Sequence, residues 1–177
     1  MNMHTLMGVL CGIIIGILIV VFFAKKGGNT DGKMRTEYDE RQKIIRGTSY
    51  KIGFYSYIIC AVIMMCVSMA EMNIPIQDDA LWFTWLVVGA IPMCIHSIWK
   101  GAYWGLNNDK TKYIVLFCVA TVVNILASVA AYVRGNMFLD GKLSTPFINV
   151  LCSILFIVIG ATIIIKKIVD GKSVDEE

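Results

Sequence analysis

Two polar side chains, His96 and Asn124, fall inside apolar runs, where lipid would offer them no hydrogen-bond partner. An imidazole in such a place can carry a proton or hold a ligand, and an ionisable residue within a span is a functional candidate by default. His96 lies one helical turn beyond Pro92, with Cys94 between them, and Pro92 predicts a kink or a freed backbone bond. His96 is also only about two turns from a basic interface, and no carboxylate lies deep in any run to pair with it. The reading is an interfacial or hydrogen-bonded imidazole, with a proton- or ligand-responsive site as the alternative. Asn124 sits near the middle of its run, in a small-polar stripe with Ala120, Ala127, Ser128 and Ala131. Its amide is expected to bond across to another helix as a structural clasp, with a substrate contact as the alternative.

Other chemistry is thinly represented. Glu71, Asp78 and Asp79 cluster in one short connection, which reads as a solvated loop more simply than as a weak cation site. The six cysteines all fall inside apolar runs, and none forms a C-x-x-C pair. Disulfide frameworks and zinc sites use short spacings, so these thiols read as small packing residues. There is no glycine-rich phosphate loop and no H-E-x-x-H. The sequence predicts a non-enzymatic protein with no catalytic residue, no metal and no cofactor.

The elements that must position these residues are long and apolar. Hydrophobic residues make up 57% of the 177 positions and charged ones 16%. Ordinary soluble domains run near ~45–50% and ~25%. Five runs reach the length of about 20 residues that a bilayer crossing needs: 4–24, 52–72, 81–99, 113–133 and 147–165. The fold class is therefore all-α: a polytopic integral membrane helix bundle of five transmembrane helices, forming one membrane domain over residues 1–177. The first run has no basic residue before it and no convincing cleavage site after it, so it reads as a retained span. It carries Gly8, Gly12 and Gly16, a tandem four-residue repeat that lets a second helix approach closely. That glycine zipper predicts a helix contact, either within the chain or across a homodimer.

Fourteen of the sixteen basic residues lie on one side of these spans: Lys25, Lys26, Lys33, Arg35, Arg41, Lys43, Arg46, Lys51, Lys100, Lys110, Lys112, Lys166, Lys167 and Lys172. Arg134 and Lys142 lie on the other. Basic loops stay in the cytoplasm, so the chain is expected N-out and C-in, in a bacterial cytoplasmic membrane. The net charge of +3 follows from this asymmetry and does not point to nucleic acid. Trp82 and Trp85 at one end of the third span, and Trp99, Tyr103 and Trp104 at the other, fit interfacial aromatic belts.

The densest charge lies in the stretch RTEYDERQKIIRGTSYKIGFYSY, Arg35 to Tyr57. Thr36 and Asp39 have capping-box spacing. Glu37 with Arg41, and Asp39 with Lys43, have the four-residue spacing of helical ion pairs. These signals predict a cytoplasmic helical stub over 36–51 that continues into the second span, with one face formed by Tyr38, Ile45, Ile52 and Tyr55 and containing Gln42 and Ser49. The stub is read as a basic collar or as a docking surface. Asp39, Glu40, Arg41 and Ile45 are the candidate docking residues. These four also form a D-E-R-x-x-x-I segment. It resembles the segment that precedes a span in a broad class of small, uncharacterised multi-span membrane proteins of bacteria and archaea. The resemblance covers about 20 residues and implies membrane residence.

Two function classes follow. One is an accessory, immunity or sensory membrane component acting through a partner, in contact with lipid and with a second copy or another membrane protein. The other is a small transporter or channel subunit with a path near His96 and Asn124.

Overall fold

The computed structural model describes residues 29–31 and 35–174. Gly8, Gly12, Gly16 and the first predicted span lie outside the described residues. Among the described residues, four helices are long and apolar enough to cross a membrane: α1 Glu40–Met69, α2 Asp78–Trp99, α3 Lys110–Val133 and α4 Phe147–Val174. α1 packs on α2, α2 on α4 and α4 on α3. This sets the neighbour order α1–α2–α4–α3. Most large apolar side chains on these helices are exposed, Val133 at 78% and Ile44 at 71%, as helices in contact with lipid require.

α1 is one continuous helix of 30 residues, about 45 Å long at 1.5 Å per residue. It joins the charged stretch to the apolar run, as expected, but it begins at Glu40 and not at Thr36. The reason lies in the backbone of the preceding residues. Glu37 N–H donates to Asn107 Oδ1 at 2.9 Å, and Glu37 C=O accepts from Leu106 N at 2.8 Å. Those groups are committed to another segment and cannot enter a helical ladder. Asp39 becomes the N-cap instead. Its carboxylate accepts from Gln42 N at 2.6 Å, and Gln42 Oε1 accepts from Asp39 N at 3.4 Å. This is a capping box with Asp39 and Gln42 in the roles expected of Thr36 and Asp39. The i,i+4 pairs do not form in that pattern: Glu37 precedes the helix, Asp39 caps it, and Lys43 pairs with Glu40 at 3.0 Å.

The buried face of α1 is Ser49, Gly53, Cys60 and Met64, spaced four, seven and four residues apart along a narrow seam. α2 meets it closely. A methyl group on Gly89 would overlap the Tyr57 ring, and one on Gly53 would lie 3.0 Å from Met93 Sδ. α2 runs unbroken through Pro92. At the far end of the bundle the chain departs from all-α. β1 Phe138–Leu139 pairs with β2 Lys142–Leu143 around Asp140 and Gly141, whose φ angles are 51° and 76°. Two successive positive φ angles are what a two-residue primed hairpin turn needs, and Asp-Gly supplies them. The hairpin ties the two connections at that end together: Gln77 N donates to Leu143 O at 2.8 Å and Leu143 N to Pro75 O at 2.9 Å.

Candidate functional site

The basic end of the bundle holds a clasp between segments some 70 residues apart. Asn107, only 8% exposed, is its centre. Its Oδ1 accepts from Glu37 N at 2.9 Å. Its Nδ2 donates to Arg35 O at 2.9 Å and to Asp31 Oδ2 at 3.2 Å. Its backbone oxygen accepts from Thr30 N at 2.8 Å. Asn108 works beside it. Asn108 Nδ2 donates to Asn29 Oδ1 at 2.7 Å, while its Oδ1 accepts from Gly105 N at 2.6 Å. A buried amide with every donor and acceptor used rigidifies its surroundings. Gly105 lets the two segments meet: a Cβ there would overlap Thr36 Cγ2 and lie 2.7 Å from Glu37 O.

The first turns of α1 extend the clasp. Gln42 Nε2 donates to Gly101 O at 3.1 Å and to Trp104 O at 3.2 Å. Arg46 Nη1 donates to Ala102 O at 3.3 Å and Nη2 to Tyr50 OH at 2.6 Å. The Arg46 guanidinium also lies 4.1 Å from the centre of the Tyr38 ring, a cation–π contact. Burial raises the Tyr38 phenol above its usual pKa, with the nearby Arg46 charge opposing. Tyr103, in the same connection, is pushed up to about 12, first by burial. It stacks edge-on to Trp104 at 4.9 Å, and Trp104 leads on to Tyr113 at 5.5 Å.

The candidate docking residues divide across this clasp. Asp39 is spent on the α1 cap. Ile45 is half-buried against its own chain. Glu40 and Arg41 face outward, and so does Ile44. The charged stretch is thus tied to its own chain on one face and open on the other. Sequence reasoning missed Asn107, Asn108 and Gly105. The signal available was the run Gly-Leu-Asn-Asn-Asp before α3, which is turn chemistry. It also read Arg46 as part of a basic collar or docking surface, not as a donor to the chain's own backbone.

The intramembrane candidates take separate places. His96 Nδ1 lies 2.9 Å from Ser49 Oγ across the α1–α2 seam, and Ser49 is 2% exposed. Ser49 Oγ also lies 2.9 Å from Ile45 O. A hydroxyl has one proton to give. When that proton goes to Ile45 O, Nδ1 carries the hydrogen and donates to Ser49. Among the described residues, Asn124 bonds to no other helix. Its Nδ2 donates to Ala120 O at 2.8 Å, one turn back, and Ser128 Oγ donates to Asn124 O at 2.8 Å. The stripe Ala120, Asn124, Ala127, Ser128 and Ala131 is the half-buried face of α3, whose packing neighbour is α4. Thr121, Ser153 and Thr162 bond back four residues in the same way, which satisfies a hydroxyl in lipid without a partner helix. At the far end, Thr145 Oγ1 donates to Asp79. The Trp85 indole N–H is buried with no hydrogen-bond partner among the described residues, unlike the interfacial donor expected there.

Together these features define a helical protein with four helices suited to lipid contact and a polar clasp at the basic end. Comparison with protein-family models, with curated proteins and with solved structures returns no match.

Proposed function

We propose that this chain is a five-span, N-out and C-in, non-enzymatic component of the bacterial cytoplasmic membrane. It acts as an accessory, immunity or sensory protein by presenting the outward face of its clasped basic end to a membrane-protein partner. The observation that carries this reading is the division of α1's first turns. Gln42, Arg46 and Ser49 bind the chain's own 96–104 region, while Glu40, Arg41 and Ile44 are left facing out. Ile44 is 71% exposed among charged neighbours. A collar alone needs only basic residues, and the interleaved acids Glu37 and Glu40 weaken attraction to an anionic leaflet. The alternative, a transport path near His96 and Asn124, has less support. His96 is bonded on the α1–α2 seam and Asn124 is bonded within α3, on the face toward α4.

A photocrosslinking residue placed at Ile44, with the same residue at lipid-facing Val129 as control, tests the proposal in native membranes. The expected result is a discrete protein adduct from position 44 that position 129 does not give. Lipid adducts alone from both positions would contradict it.

A further inference from the structure

We propose that the basic end carries a binding cleft for a phosphate-bearing anion. The cleft opens between the start of α1, the end of α2 and the last turns of α4, with a volume of about 480 Å³. Ligand sites commonly fall between ~300 and ~1,000 Å³. Arg41, Lys100 and Lys166 line it, together with Trp99, Asp39 and Asp170.

The charge balance inside the cleft favours an anion. Three cations face two carboxylates in the lining, and each carboxylate has a partner of its own. Asp170 holds Lys166 Nζ at 2.9 Å through each of its oxygens, and Asp39 accepts from Gln42 N. The Gln42 amide is spent on Gly101 and Trp104. Arg41 and Lys100 have no ion-pair or hydrogen-bond partner for their side chains among the described residues, so two cations from different helices share one recess. A guanidinium matches a phosphate through paired N–H donors, and an ammonium adds a point charge.

The walls narrow the choice further. Ile45 lines the recess, and so does Trp99, a residue 46% exposed at the end of α2, where an amphipathic ring suits the headgroup level. Cationic recesses between membrane helices at this depth bind anionic headgroups. The shared chemistry is a phosphate ester with a short apolar attachment, supplied by an anionic phospholipid or by a soluble phosphorylated compound. The inference does not depend on a protein partner, nor on which leaflet the basic end faces.

The test uses full-length protein stripped of lipid in neutral detergent. Binding is read by native mass spectrometry and by thermal unfolding, with short-chain phosphatidylglycerol, short-chain phosphatidylcholine and inorganic phosphate as probes. Phosphatidylglycerol is expected to bind and raise Tm, and phosphatidylcholine is not. The double variant Arg41→Gln/Lys100→Gln should bind about thirtyfold more weakly. The control Lys110→Gln/Lys167→Gln, which removes the same charge outside the cleft, should bind as the parent does. Competition by inorganic phosphate would assign the site to soluble phosphate esters, and its absence to lipid. Equal losses in the two double variants, or equal binding of the two lipids, would overturn the proposal. Should the cleft double variant fail to fold, Lys100→Gln alone serves, with Lys167→Gln as its control.

Discussion

Ser49 Oγ and His96 Nδ1 meet at 2.9 Å across the α1–α2 seam, where Ser49 is only 2% exposed. Ser49→Ala leaves the imidazole nitrogen without this partner on the packed α1–α2 seam. The expected cost is about 1–3 kcal/mol, seen as a lower Tm in detergent. Thr48→Ala, on the exposed side of the same turn, should leave Tm close to the parent value. Equal effects would mean that the Ser49–His96 bond contributes nothing to the seam.

Glycine positions on α1 and in the clasp should respond in opposite directions. Gly47 has nothing within 4 Å of a built Cβ and lies in a helix interior, so Gly47→Ala should stabilise by about 0.5–1 kcal/mol. Gly105→Ala should destabilise, because its methyl would press on the Glu37 backbone oxygen. Hydrogen exchange at Glu37 and Leu106 reports the second effect locally. Unchanged protection there in Gly105→Ala would show that the clasp yields without strain.

The apolar runs made the four described helices legible, with starts within about four residues, because burial in lipid leaves a length and composition signal that needs no partner; the last helix runs on to Val174, nine residues past the expected end of its span. The clasp was not legible in the same way. Asn107 and Glu37 are 70 positions apart, and side chain–backbone bonds between loops carry no periodicity. The start of α1 was misplaced for the same reason, since Glu37 is held outside the helix by a residue in a distant connection. Asn124 bonds to its own preceding turn among the described residues, not across to a second helix as expected; an amide in lipid has both solutions, and their sequence spacing is the same. Asp140-Gly141 is turn chemistry, but the two short strands flanking it carry no sequence signal of their own.

The residues of the D-E-R segment should separate by role. Asp39→Gln removes the carboxylate that caps α1, at a cost of about 1 kcal/mol. Glu40→Gln breaks only the exposed pair with Lys43, worth about 0–1 kcal/mol. Tm measured on the single variants should fall for Asp39→Gln and hold within error for Glu40→Gln. The reverse order would place the structural role on the wrong residue.

Asp109 gives a pH dependence confined to the start of α3. The Lys112 backbone N–H, accepted at 3.3 Å, is the main cause holding its carboxyl below the usual value, and the Lys112 side chain adds to it. A lowered folded pKa means that the cap's contribution is present above the unfolded value, near ~3.9. It is lost as pH falls through the lower folded value. The protection factor of the Lys112 amide, corrected for the intrinsic pH dependence of exchange, should therefore fall as pH is lowered from about 5 to well below ~3.9, and Asp109→Asn should flatten that response. An unchanged response in the variant would assign it to another group.

The clasped basic end can present Ile44 to a membrane-protein partner on the cytoplasmic side only if that end faces the cytoplasm. Cysteine accessibility in a cysteine-free background tests this most directly, with Ile44→Cys at the basic end and Phe138→Cys at the hairpin end. An impermeant thiol reagent applied to intact cells should label Phe138→Cys and spare Ile44→Cys until the cells are opened. Labelling of Ile44→Cys in intact cells, with protection of Phe138→Cys, would contradict the N-out and C-in arrangement and the role built on it.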